Sequence, residues 1–191
     1  MQDIVNFLFE VGMLQKTPRS GYQFFGSGDE SVAEHILRTI FVGYAMSRLE
    51  KGVNELKIIK MCLFHDLPEA RIGDMNYVNK KYVTVDEGKA IRELTESLSF
   101  GGDIHDILKE FNEKKTKESM LAHDADQLSL ILQLKEQGDL GNKYSGEWIS
   151  FAVKRLCTDV AKRMAQIILL TDSTNWWFKE KGDWWINGQN P

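Results

Sequence analysis

The residues able to do chemistry together fall in four places along the chain. The densest is Cys62-Leu63-Phe64-His65-Asp66-Leu67-Pro68-Glu69-Ala70-Arg71-Ile72-Gly73-Asp74, where a glutamate and a second aspartate follow a His-Asp pair within about two helical turns. Imidazole nitrogens and carboxylate oxygens are the donors that borderline and hard divalent cations take. Carboxyl groups left over from such a shell can hold or move protons. Neighbours on a helix point about 100° apart, so His65 and Asp66 chelate together only if the backbone is irregular there and further ligands arrive from elsewhere. Taken alone, the pair reads as a helix end with a hydrogen-bonded histidine. The other three places are His35, the group His123, Asp124 and Asp126, and Arg19 in a loop bounded by Pro18 and Gly21.

Helices must position these groups. Three prolines interrupt 191 residues, and alternating β-branched runs are nearly absent. The pattern predicts helices over 3–14, 31–49, 54–64, 87–98, 104–111 and 119–137, and one long helix over 148–170. A short turn or helix follows Pro68 and ends at Gly73-Asp74. The segments 15–29, 77–86 and 138–146 read as loops, and Gly101-Gly102 as a break. Ser31-Val32-Ala33-Glu34 fits a capping box, which sets His35 in the first turns of an apolar helix. His123, Asp124 and Asp126 lie on an otherwise apolar helix, where they are costly to bury unless partners or a cation face them.

The bulk numbers bound the function. A net charge of −4 argues against a protein that grips nucleic acid by its phosphates. Cys62 and Cys157 sit in apolar helical patterns and form no thiolate cluster, which suits a reducing, cytoplasmic setting. There is no basic, apolar leader at the N-terminus and no apolar run near 18 residues, so neither export nor a membrane span is expected. The chain is long enough for one domain spanning 1–191, with the aromatic tail of about 172–191 packed on it or on a partner subunit. That tail holds Trp176-Trp177-Phe178 and Trp184-Trp185-Ile186, which more often seal a core edge or a subunit contact than bind a ligand.

A bundle of these helices can bring His35, His65, Asp66 and one aspartate of the third group to a point. The order His35, His65-Asp66, Asp126 resembles the signature of the HD-domain metal-dependent phosphohydrolases. Pro18-Arg19, Glu30-Ser31-Val32-Ala33-Glu34-His35, His65-Asp66-Leu67-Pro68-Glu69, Gly73-Asp74 and Ala125-Asp126-Gln127-Leu128 are similar to the branch of bacterial 5′-deoxynucleotidases and their archaeal and human relatives. The resemblance spans roughly residues 1 to 170.

It implies an all-α HD-domain bundle, commonly dimeric, with a buried divalent cation held by His35, His65, Asp66 and Asp126. Its Ala-Asp-x-Leu pattern favours Asp126 over Asp124 as the fourth ligand. Mn²⁺, Co²⁺ and Mg²⁺ lead the candidates, with Fe²⁺, Ni²⁺ and Zn²⁺ behind. One metal is expected, and a second through His105 or His123 stays open. The resemblance also implies Arg19 on a substrate phosphate and Glu69 and Asp74 as the catalytic carboxyl groups, one acting on water and the other on the leaving oxygen. Tyr22 is a candidate stacking surface, and Glu34 is a capping residue first. The expected reaction is hydrolysis of a (deoxy)nucleoside 5′-monophosphate by a homodimer. The rivals are an HD phosphodiesterase or triphosphohydrolase, in which Arg71, Lys80 and Lys81 would serve extra phosphates, and a non-catalytic helical dimer with a structural metal.

Overall fold

The computed structural model describes residues 1–178, 182 and 184–188, so part of the expected tail, 179–181, 183 and 189–191, lies outside the described residues. The helices that matter begin where short polar side chains can satisfy free backbone N–H groups. Ser31 and Glu34 form the expected capping box at the start of α2 (Val32–Leu49). Asn54 caps α3 (Glu55–Phe64), its side chain accepting from Lys57 N at 3.1 Å. Ahead of them lies α1 (Gln2–Val11), which tightens into a 3₁₀ turn over Gly12–Gln15. Next come the single-turn α4 (Glu69–Ile72), α5 (Glu87–Thr95) and α6 (Gly101–Glu113). The centre is α7 (Lys117–Asp139), opened by a Thr116–Ser119 capping box. No strand occurs among the described residues, only an isolated bridge between Pro18 and Ser31.

The glycine pair at 101–102 opens α6 rather than preceding it. The chain packs so tightly there that a Cβ on Gly101 would fall 2.0 Å from Thr95 O. A larger departure concerns 148–170, expected as one helix. It is two, α8 (Ser145–Lys154) and α9 (Asp159–Leu170), with Thr158 capping the second. The break is imposed from outside. The buried Asp124 carboxylate on α7 accepts hydrogen bonds from Cys157 N (2.8 Å), Thr158 N (2.7 Å) and Thr158 Oγ1 (2.6 Å). Those N–H groups would be spent within a continuous helix.

One apolar cluster joins α2, α3, α7, α8 and α9 through Met46, Ile58, Leu128, Ile131, Ala152 and Val160, all buried. A second, around Val32, Ile36, Leu67, Ile104 and Leu108, ties α2 to α6 and the α3–α4 turn. Small residues let α2 approach its neighbours. A Cβ on Gly43 would lie 2.6 Å from Cys62 Sγ and 3.7 Å from the Ala125 methyl. The described tail forms two single turns, α10 (Asn175–Phe178) and α11 (Trp184–Asn187), whose rings meet edge to face and stay partly exposed. No described helix is long and apolar enough to cross a membrane.

Candidate active site

Four donors meet where α2, α3 and α7 cross. His35 is fully buried on α2, with Nε2 3.0 Å from Asp126 Oδ1 and 3.7 Å from Asp66 Oδ2. His65 caps the C-terminus of α3. Its Nε2 lies 3.4 Å from His35 Nε2, 3.2 Å from Asp66 Oδ2 and 4.0 Å from Asp126 Oδ1. The backbone turns here, and that is how adjacent residues 65 and 66 face one point. The other nitrogen of each ring is occupied elsewhere. His65 Nδ1 is 2.9 Å from Cys62 O, to which it donates, and His35 Nδ1 is 3.3 Å from Ser129 Oγ. The first contact keeps a proton on His65 Nδ1, so that in the neutral ring, the form a cation would meet, the Nε2 lone pair faces the centre.

The field at this point favours positive charge. Burial opposes ionisation of Asp126, but the hydrogen bond from His35 and the charges of His35, His65 and Arg19 outweigh it and hold the carboxyl well below its usual range. Burial likewise opposes charge on Asp66, and His65, His35 and Arg19 again win. His65 is pushed up to about 9: burial resists the imidazolium, and Asp66 and Asp126 prevail. A divalent cation fits this donor set, because His35, His65 and Asp126 each offer one atom within 4.8 Å of the others, and Asp66 Oδ2 lies among them.

A cavity of about 500 Å³ opens beside the cluster. Arg19, Asp66, Glu69, Asp74 and Asp126 line it. Arg19 Nη1 is 3.4 Å from Asp66 Oδ2 and 3.8 Å from Asp74 Oδ1, and its backbone N–H donates to Glu30 O at 2.8 Å. Asp74 Oδ2 accepts from Ser20 N (2.6 Å) and Ser20 Oγ (3.0 Å), so Asp74 fixes the turn that presents Arg19. Gly73, at φ +73°, makes the reversal that returns Asp74 to the site. Glu69, at the start of α4, differs from Asp74: its Oε2 is buried and has no hydrogen-bond partner among the described residues. Burial, then the charges of Asp66 and Asp74, push its carboxyl up to about 9 against Arg19 and Lys80.

The cavity continues along α7. Gln133 and Gln137 lie about 10 and 16 Å beyond Asp126 at the helical rise, and both line the cavity with Tyr22, Tyr77 and Trp148. These residues were not singled out as a site from the sequence, apart from Tyr22. Stepping from Asp126 to Leu130, Gln133 and Gln137 at helical spacing would have found the amides. Asn76, Tyr77 and Trp148 carry no such local signal.

The remaining candidates lie elsewhere. Asp124 anchors the α8–α9 break. His123 stacks on Phe111, its centroid 3.7 Å away, with Nε2 donating to Phe111 O at 2.8 Å. His105 is half exposed beside Asp106. Glu34 accepts from Ser31 N and Oγ, each at 2.7 Å. Arg71 binds Glu10 and Glu93 and does not line the cavity, whereas Lys80 does.

The HD domain family matches residues 11–168, so the chain belongs to that family and with it to the metal-dependent phosphohydrolases its motifs resemble. The protein named 5′-deoxynucleotidase HDDC2 from Dictyostelium discoideum is 33% identical over 148 residues, covering 71% of this chain and 78% of that protein. A conserved hypothetical protein from Pyrococcus furiosus superposes with a TM-score of 0.73 at 27% identity, over 86% of this chain and 96% of the other. A predicted metal-dependent phosphohydrolase from Magnetospirillum magnetotacticum MS-1 shares the fold, with a TM-score of 0.70 at 19% identity over 88% and 90% of the two chains.

Proposed function

We propose that the protein hydrolyses (deoxy)nucleoside 5′-monophosphates to nucleoside and inorganic phosphate in the Arg19–Glu69–Trp148 cavity. One observation carries the reading. A shell of two imidazoles and two carboxylates, a guanidinium and an unpartnered carboxyl group share a cavity with aromatic rings and side-chain amides. The relatives named 5′-deoxynucleotidase support the same substrate class.

His35, His65, Asp66 and Asp126 would hold one divalent cation, Mn²⁺, Co²⁺ or Mg²⁺ before Fe²⁺, Ni²⁺ or Zn²⁺, which when bound lowers the pKa of water and neutralises phosphoryl oxygens. Arg19 takes the phosphate through its forked donors and holds the charge that builds there. Asp74 keeps Arg19 in place through Ser20 and offers Oδ1 to the attacking water. Glu69 keeps a proton because burial and its acidic neighbours disfavour the anion, and it gives that proton to the 5′ oxygen as the P–O bond breaks. Tyr22, Tyr77 and Trp148 offer faces for a base, and Gln133 and Gln137 offer donors and acceptors for its edge.

A triphosphohydrolase or phosphodiesterase is less well supported. Arg71 is engaged by Glu10 and Glu93, which leaves Arg19 and Lys80 as the basic residues lining the cavity. A purely structural metal gives no reason for Glu69 to stay buried without a partner. Assembly as a cytoplasmic homodimer belongs to the same proposal, and light scattering checks its stoichiometry. The deciding experiment measures phosphate release from ribo- and deoxynucleoside monophosphates with Mn²⁺ or Co²⁺. Release from at least one deoxynucleotide is expected, and no release from any would sink the assignment.

A further inference from the structure

Asp126 has two oxygens, and only one faces the histidines. Its Oδ1 lies against His35 and His65. Its Oδ2 accepts from Gln127 Nε2 at 2.8 Å. The same amide turns its oxygen outward, where Gln127 Oε1 accepts from Arg155 Nε at 2.6 Å. Amide nitrogen and oxygen are hard to tell apart by shape, but their neighbours settle the matter here: a carboxylate requires the donor and a guanidinium requires the acceptor. The Arg155 guanidinium also sits over the Tyr77 ring, 5.3 Å from its centroid. Tyr77 and Gln127 both line the substrate cavity, while Arg155 does not. Arg155 stands just before the α8–α9 break, whose next residues are held by three hydrogen bonds to Asp124.

We propose that Arg155 is a positioning residue of the site. Through the Gln127 amide it fixes the rotation of Asp126, and through the Tyr77 ring it holds one wall of the cavity. The proposal rests on the assignment of His35, His65, Asp66 and Asp126 as cation ligands. Its logic is polarity. A carboxylate with one oxygen anchored presents the other in one orientation, so a cation meets a shell that is already aimed. Gln127 alone can rotate, and the guanidinium on its far side removes that freedom. This also gives the helix break a purpose: a continuous 148–170 helix would spend Cys157 N and Thr158 N internally and release the Asp124 clamp beside Arg155.

The test is calorimetric titration of the metal-stripped protein with Mn²⁺ alone, together with kcat and KM on the best monophosphate. Gln127→Leu loses the direct anchor and should weaken Mn²⁺ binding about ten-fold, the low end for such partners. Arg155→Met should weaken it in the same direction by about three-fold, below that direct-partner effect, and should also raise KM. Arg155→Lys, which can still donate to Gln127 Oε1 and present a cation to the ring, should recover most of the affinity. Tyr77→Leu should raise KM and leave the Mn²⁺ titration unchanged. Thermal melts of each variant exclude misfolding as the cause. Unchanged Mn²⁺ binding in folded Arg155→Met overturns the proposal whatever Gln127→Leu does, as does a wild-type chain that binds no Mn²⁺. A wild type that binds Mn²⁺ but releases no phosphate refutes the nucleotidase reading alone, because the titrations still decide the role of Arg155.

Discussion

Asp124 and Asp126 stand two residues apart on α7 and serve different ends of the fold. Asp126 points Oδ1 at His35 Nε2, 3.0 Å away, while Asp124 turns both oxygens to the Cys157–Thr158 backbone and the Thr158 hydroxyl. The separation follows from the helix, since residues two apart point about 200° from each other. One aspartate therefore faces the cavity and the other the α8–α9 corner.

Substitution should separate these roles. Asp126→Ala should abolish Mn²⁺ binding and phosphate release while the chain stays folded. Asp124→Ala leaves the Cys157 and Thr158 N–H groups and the Thr158 hydroxyl, whose bonds are part-buried, without their charged acceptor and should cost about 3 kcal/mol, read as a melting point lower by roughly 6–12 °C. At a temperature where Asp124→Ala is folded, its Mn²⁺ affinity should stay within about three-fold of wild type, less than the loss expected for a direct ligand partner. Loss of metal in Asp124→Ala with an unchanged melting point would reverse the two assignments.

A second prediction concerns how closely α2 and α3 approach, because that distance sets the separation of His35 and His65. Gly43→Ala should gain up to about 1 kcal/mol in helix propensity. The added methyl, however, would meet Cys62 Sγ at 2.6 Å in a fully buried position. Overpacking of this kind costs about 1–3 kcal/mol, so the net effect should be a lower melting point. In a Cys62→Ala background the closest obstacle is gone and only Ile58 Cγ2, at 3.3 Å, must shift, by a few tenths of an ångström into the space the thiol vacates, so Gly43→Ala should become neutral or stabilising. A double-mutant cycle with no coupling between the two sites would show that the contact does not limit the packing.

Much of this arrangement is legible in the sequence because it is local. The Ser31–Glu34 box places His35 in the first turn of α2, and Asn54 starts the helix whose last turn delivers His65. The break at 155–158 is not legible from periodicity, since Phe151, Val153, Leu156, Val160 and Met164 continue an apolar pattern across it without glycine or proline. Thr158-Asp159 is the one local cue, as an N-cap followed by an acidic first turn. What decides the break is Asp124, more than 30 residues earlier. The fate of Arg71 was hidden for the same reason. It lies within the densest motif, yet Glu10 and Glu93, distant in sequence, draw it away from the cavity.

Glu69 should leave a mark on stability in the metal-free protein. Its carboxyl has the ordinary value near 4.5 when unfolded, and burial beside Asp66 and Asp74 pushes it up to about 9 in the folded chain. Between those values the unfolded chain binds fewer protons than the folded one, so this group lowers stability as pH rises from about 4.5 to about 9 and contributes no further change outside that window. Glu69→Gln removes the effect. With chelator present, it should melt above wild type at pH 8 by ~3 °C or more, the shift expected for about 1 kcal/mol in a chain of this size. The gap should shrink toward zero at pH 5. His65, also raised to about 9, contributes stability that is complete below its unfolded value of 6.5 and lost as pH rises through 9. Because that contribution is common to both proteins, the difference between their melting curves isolates Glu69. A gap that does not change with pH would mean that Glu69 is ionised in the folded chain.

The same residue gives the sharpest chemical prediction. If Glu69 donates its proton to the departing 5′ oxygen, its importance must scale with how poor that leaving group is. A ribose alkoxide needs the proton, whereas p-nitrophenolate leaves without one. Glu69→Gln should therefore reduce kcat on a nucleoside monophosphate by about 10²- to 10⁴-fold, the range of general acid catalysis. On p-nitrophenyl phosphate the loss should be far smaller. Mn²⁺ affinity should stay close to wild type, since the four ligands are untouched. Equal losses on both substrates would place Glu69 on the water or on a cation rather than on the leaving oxygen. The proton would then have to come from elsewhere, and Asp74, already accepting twice from Ser20, is the remaining carboxyl group beside Arg19.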